Sequence, residues 1–154
     1  MDSNEGATTK AAADGYKTAN NLEQAIEDED IRAIFLCTPH GEHAFQLLAC
    51  AFSNKHAFCE KPLCPTINEA LKAIKIFEQK NLVLGVGHDL RFSPAIIELM
   101  KSVKNNELGR ILQINGAFAH KKFLELPNTH WRLSPTESPV GPLSSGGLHL
   151  VDIA

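Results

Sequence analysis

A chain of 154 residues, 44% hydrophobic and 21% charged, has ordinary globular composition with room for one sizeable domain or two small pieces. A net charge of -3 and an aromatic content of 6% supply neither the basic groove of a nucleic-acid binder nor a surface for anionic membranes. No run approaches the roughly 20 apolar residues of a membrane span, and Met1-Asp2-Ser3-Asn4-Glu5 lacks the basic-then-apolar opening of a signal peptide, so a cytoplasmic protein with small-molecule or protein partners is expected.

Residues 5–14 are Ala-rich and predict a helix stopped by Gly15, and Asn20-Asn21 caps a short second helix over 22–26. The apolar run 31–37, closed by Thr38-Pro39-His40-Gly41, predicts a buried strand. Phe45, Leu47, Leu48, Ala49 and Phe52 mark a helix over 42–53, which returns the chain to a second apolar run, His56 to Cys59. That run halts on Glu60-Lys61-Pro62. A buried parallel strand delivers its charged groups at the carboxyl rim of the sheet, where the ligand crevice of an open α/β fold lies, so Lys61 is expected at the crevice with Glu60 beside it.

Thr66-Ile67-Asn68-Glu69 has the pattern of a capping box, and Leu71, Ile74 and Phe77 predict the buried stripe of a helix running to about Lys80. A third strand over 82–86 empties into Gly87-His88-Asp89-Leu90-Arg91-Phe92 at the same rim, and Ser93-Pro94 opens a helix through Met100. Gly85-Val86-Gly87 reads as close backbone packing at a strand end. Beyond Gly109 the alternation of 110–118 predicts a strand with one wetter face. From Lys121 to Gly147, Pro127, Pro135, Pro139 and Pro142 predict a long structured loop, which ends in a glycine turn and an apolar helix start at Leu148-His149-Leu150-Val151-Asp152.

Cys37, Cys50, Cys59 and Cys64 match no zinc spacing, and Cys37, Cys50 and Cys59 fall in apolar runs, the places for reduced core thiols. His149 and Asp152 have ligand-compatible spacing, but no second paired motif completes a site and no metal is expected. His40 and His43 follow a strand end, His56 is expected to be structural, and His120 and His130 to lie at the surface. Trp131 either touches substrate or anchors the long loop.

Together, Thr38-Pro39 with His43, Cys59-Glu60-Lys61-Pro62, Gly87-His88-Asp89-Leu90-Arg91-Phe92, Trp131-Arg132 and Gly147-Leu148-His149-Leu150-Val151-Asp152 resemble the Gfo/Idh/MocA family, in its order and spacing, from about Asp30 to Asp152. The resemblance implies an α/β fold: a partial Rossmann parallel sheet over 1–92, then over 93–154 the start of an α/β domain for substrate and oligomerisation. It implies NAD or NADP as cofactor, hydride transfer to or from a sugar, polyol or related hydroxy compound, and a homo-oligomer when complete. Lys61 and His149 resemble the active-site lysine and the catalytic acid/base. Asp152, with Arg91, Trp131 and Arg132, falls to substrate, and Thr38, Pro39, His43, Glu60, Lys61 and Asp2 to the cofactor, which the loop residue His40 is also expected to see.

Two departures stand out. The family commonly reads Asp-x-Gly-x-His where this chain has Ser145-Gly146-Gly147-Leu148-His149, and a serine can hydrogen-bond an imidazole without supplying the charge that stabilises an imidazolium. No Gly-x-Gly-x-x-Gly occurs to cradle a pyrophosphate, so the chain is expected to be an internal piece of a longer protein. The alternative expectation is a truncated, non-catalytic binding or regulatory fragment that dimerises through its open sheet.

Overall fold

The computed structural model describes residues 1–119, 121–138 and 141–154; His120, expected at the surface, and Pro139, expected in the long loop, lie outside the described residues. Two helices come first: α1 (Glu5–Ala13), capped by the Asn4 side chain accepting from the Ala7 N–H, and α2 (Leu22–Glu27), capped by Asn21 accepting from Gln24. Each cap pairs one of the backbone donors that the first turn of a helix leaves unbonded.

The centre of the molecule is a parallel sheet of β1 (Ala33–Leu36), β2 (His56–Glu60) and β3 (Leu84–Gly87), in the order β1-β2-β3. Leu36 pairs with Cys59 at the last rung of the first ladder, and Glu60 with Gly87 at the last rung of the second. Parallel neighbours need long crossovers. These are α3 (His43–Phe52), entered through a 3-10 turn at His40–Glu42, and α4 (Ile67–Gln79). In α4 the capping box forms as expected: Thr66 accepts from the Glu69 N–H, while the Glu69 carboxylate accepts from the Thr66 backbone.

The core lies between the sheet and these two helices, built from Leu36, Leu47, Cys50, Cys59, Ala73 and Phe77. The helices pack on one face only. On the other, Phe35 is 72% exposed and its ring meets Phe58 at a centroid distance of 5.2 Å. The expected buried strand 31–37 is therefore shorter, and it alternates as a half-covered strand does.

Several expected faces turn. In α3 the buried residues are His43, Gln46, Leu47, Cys50 and Ala51, a true three-and-four spacing, while Phe45 and Phe52 face solvent. In α4 Ala73 and Phe77 are buried, but Leu71 and Ile74, expected in the same stripe, are exposed, because side-chain size does not decide which face meets the sheet. Cys37, expected as a core thiol, is exposed, since it lies one residue beyond β1, where the ladder has stopped. Burial pushes the other thiols up: Cys50 and Cys64 to about 11, Cys59 to about 12. Gly85 and Gly87 are close approaches, as read: a Cβ would stand 2.7 Å from the Phe58 ring at Gly85 and 3.0 Å from the Glu60 carboxylate at Gly87.

After β3 come a 3-10 turn at Asp89–Phe92 and α5 (Pro94–Lys104), in which Pro94 sits in the first turn but Ser93 makes no side-chain cap. The strand expected over 110–118 is absent. Its residues are exposed and join no ladder of the described sheet, and alternation alone makes none. The long loop carries 3-10 turns at Lys122–Glu125 and Trp131–Leu133 and a π turn at Leu143–Gly147, which runs into α6 (Leu148–Ile153). Among the described residues no helix is long and apolar enough to cross a membrane.

Candidate active site

The carboxyl ends of the three strands release their polar residues to one rim, and the π turn and α6 come back to meet them. Lys61 follows β2 by one residue. Its backbone N–H donates to the Glu60 carboxylate at 3.2 Å, and its Nζ donates to the Ser144 carbonyl at 3.3 Å and to the Ser145 carbonyl. An ammonium thus joins residues more than eighty positions apart, and two main-chain oxygens direct it.

His149, in the first turn of α6, is 7% exposed. Its Nε2 lies 3.9 Å from the Asp89 carboxylate, its ring is stacked against Phe118 with centroids 6.1 Å apart, and its Nδ1 is buried without a hydrogen-bond partner among the described residues. Burial, and then the nearby Lys61 ammonium, hold the imidazole below its ordinary pKa against the opposing pull of Asp89. The ring is therefore neutral at physiological pH and can accept a proton.

Asp152, one turn further along α6, is clamped by Arg91, whose Nε and Nη2 donate to its two oxygens at 2.8 and 2.6 Å. These bonds hold the carboxyl below the usual range. His88 Nδ1 approaches the same carboxylate at 3.3 Å without the alignment of a hydrogen bond, and its ring meets His149 edge-on at 6.1 Å. Arg91, His88 and Asp152 line a cleft of about 690 Å3 with Pro62, Thr66 and Phe92.

His40 closes the other side. It is buried, its Nδ1 lies 3.4 Å from the Ser144 hydroxyl, and its ring meets the edge of Trp131 at 5.0 Å. The Ser144 hydroxyl donates to the Gly141 carbonyl at 2.8 Å, so toward His40 it can only accept. Burial first, then the charges of His43, Lys61 and Arg132, push the His40 imidazole down to about 4. The Arg132 guanidinium lies 4.2 Å from the centre of the Trp131 ring, a cation–π pair next to His40.

The structure thus gathers Lys61, Glu60, His149, Asp152, Arg91, Trp131 and Arg132 around one rim. Thr38 and Pro39 stand at the end of β1, half-buried, where the Thr38 hydroxyl donates to Gln46 at 2.5 Å. His43, expected to face the cofactor, has no exposed surface: both ring nitrogens point at backbone carbonyls. Asp2 lies ahead of α1, where its carboxylate accepts from the Asn4 N–H at 2.8 Å, and among the described residues none of its hydrogen bonds reaches the rim. Ser145, whose hydroxyl is able to bond an imidazole, gives Lys61 its main-chain oxygen, and His149 Nδ1 has no hydrogen-bond partner among the described residues. Sequence reasoning gave His88 and Asp89, the first two residues after β3, no role of their own, and His40, four residues past β1, was expected only to see the cofactor; their signal was position just beyond a strand end.

The residues at the rim suit the reactive end of a nicotinamide cofactor: an aimed ammonium, a neutral imidazole with an orphaned buried nitrogen, and strand-end loops that border the crevice of a parallel sheet. The comparisons with known proteins agree. The oxidoreductase family Gfo/Idh/MocA, with an NAD-binding Rossmann fold, matches residues 1–88. The levoglucosan dehydrogenase of Pseudarthrobacter phenanthrenivorans is 31% identical over 131 residues, covering 84% of this chain and 33% of that protein. The myo-inositol 2-dehydrogenase of Thermotoga maritima is 30% identical over 95 residues, or 62% of this chain and 28% of that protein. A levoglucosan dehydrogenase solved in complex with NADH and levoglucosan superposes with a TM-score of 0.83 at 27% identity, covering 99% of this chain and 42% of that one. The chain spans about a third of the length of the curated relatives it matches. With a parallel α/β sheet, strand-end motifs at one rim and a family match over more than half its length, the chain belongs to the Gfo/Idh/MocA family of NAD-binding Rossmann-fold oxidoreductases.

Proposed function

We propose that this chain carries the reactive half of an NAD- or NADP-dependent dehydrogenase acting on a sugar, a polyol or a related hydroxy compound. Residues 1–92 form part of its dinucleotide-binding domain, and 93–154 begin the substrate domain. The observation that carries this reading is that Lys61, after a strand end, reaches the turn that leads into α6 and its charge acts on His149, in the first turn of that helix. The relatives that act on levoglucosan and inositol support a polyhydroxylated substrate.

A bound nicotinamide ring supplies the hydride acceptor or donor. Thr38, Pro39 and Glu60, at the ends of β1 and β2, border the place for it. Lys61 binds the reacting oxygen and stabilises the negative charge that grows on it, with its ammonium aimed by the Ser144 and Ser145 carbonyls. His149, neutral at physiological pH, takes the hydroxyl proton during oxidation and returns it during reduction. Arg91 and Asp152 offer paired polar groups to neighbouring hydroxyls at the cleft, and Trp131 with Arg132 forms a wall on the His40 side.

The experiment is a screen of the full-length protein against a panel of aldoses, inositols and anhydro sugars with NAD and with NADP, followed by the absorbance of the reduced cofactor. Turnover of at least one polyhydroxylated compound that depends on one of the two cofactors is expected. No turnover of the panel, together with no binding of either reduced cofactor in calorimetry, overturns the reading in favour of a non-catalytic binding fragment.

A further inference from the structure

We infer that His43 is a positioning residue that sets where Lys61 stands, by joining the two strand-end loops on which the site is built. The inference rests on the assignment of Lys61 to the reacting oxygen. His43 is the first residue of α3 and has no exposed surface. Its Nδ1 lies 2.7 Å from the Pro62 carbonyl and its Nε2 3.0 Å from the Thr38 carbonyl. The ladder between β1 and β2 ends at Leu36 and Cys59, so beyond that rung the segments 37–38 and 60–62 have no rung to hold them together. The imidazole spans them in place of a rung.

The geometry leaves His43 little other occupation. Both nitrogens already face main-chain oxygens, and Gln46, one turn along α3, fixes the Thr38 hydroxyl at 2.5 Å from the same buried face. Pro62 has no N–H and follows Lys61 directly, so the carbonyl that His43 engages is one peptide removed from the Lys61 main chain. Lys61 is thereby held at its base through Pro62 and at its tip by the Ser144 and Ser145 carbonyls. A neutral imidazole donates to one of the two carbonyls and a charged one to both, whereas an apolar replacement donates to neither. Misplacing a reacting group by about 1 Å costs on the order of 10²-fold in rate.

The test uses His43→Leu, which keeps the volume and loses both contacts, and His43→Gln, which keeps an amide donor. Leu47→Ala, also buried in α3, is the control for general loosening. The inference predicts that His43→Leu lowers kcat by about 10²-fold with cofactor affinity within about twofold, that His43→Gln recovers about tenfold of that loss, and that Leu47→Ala lowers the melting temperature with kcat within about twofold. A kcat of His43→Leu within about twofold of the parent overturns it, as does an equal loss in Leu47→Ala. Should His43→Leu fail to fold, His43→Gln decides, because an amide with one carbonyl's geometry predicts a fall of about tenfold and an unchanged kcat overturns the inference. A parent protein without nicotinamide-dependent turnover would sink the function proposed above, and the positioning role is then read by NMR of 13C-dimethylated lysines. The Lys61 signal, assigned with Lys61→Arg, is expected to move to the exposed-lysine position in His43→Leu; an unmoved signal overturns the inference.

Discussion

His149 is buried beside an ammonium, and its nearest carboxylate belongs to Asp89, on a turn whose side chain reaches solvent. Ser145 stands four residues before it, the place on a helix from which a carboxylate would reach the ring. Ser145→Asp should therefore raise the His149 pKa and move the limb of the pH–rate profile that it governs to higher pH, because a nearby negative charge favours the imidazolium. A limb that stays in place would show that position 145 does not face the ring. His40 makes a second prediction, this time for stability. Its pKa is lowered from the ordinary 6.5 to about 4 on folding, so between those values the unfolded chain binds the proton and the folded chain does not. Its contribution is complete above pH 6.5, is lost as the pH falls toward 4 and levels off below that, and His40→Gln should flatten this slope in denaturant unfolding measured at stepped pH. At this scale the place of Lys61, one residue past a strand end, was legible, whereas the contacts of His40 were not: its partners Trp131 and Ser144 lie about a hundred positions away, and no local pattern encodes such a contact.

The elements divide in the same way. Those with chemical punctuation were read to within a few residues: Asn21 as a cap, the Thr66–Glu69 box, Pro94 in the first turn of α5. Thr66→Ala should cost about 1 kcal/mol in urea unfolding, since it removes the hydroxyl that accepts the Glu69 N–H and frees the carboxylate that bonds back. A loss well under about 0.3 kcal/mol would mean that the box adds nothing beyond what water supplies. The outward turn of Phe45, Phe52 and Leu71 was not legible, because a helix buries a face set by its neighbours, and here the small residues Ala51 and Ala73 are fully buried. The segment 110–118 alternates as a strand does, yet pairing is a property of two strands and its own residues name no partner.

Taken whole, the molecule has a sheet covered on one face and open on the other. Phe35 and Phe58 form an aromatic pair on the open side, and β1 stands at the edge of the described sheet. An exposed apolar edge strand promotes aggregation, and a lysine there opposes it. Phe35→Lys should raise the concentration at which the 154-residue chain stays monodisperse in sedimentation velocity, and no change would show that this face takes no part in association. The parallel α/β class was legible from three apolar runs, each ending in polar residues and each joined to the next by a helix-length crossover; which faces stay open depends on contacts that no run encodes. The account of function comes down to Lys61, aimed by two carbonyls at the place where the reacting oxygen would lie. Its most direct test is Lys61→Ala in the full-length protein, with turnover of the best substrate measured beside the affinity for the reduced cofactor. The account predicts a fall in kcat of roughly 10²- to 10³-fold with cofactor affinity nearly constant, and an unchanged kcat would contradict it.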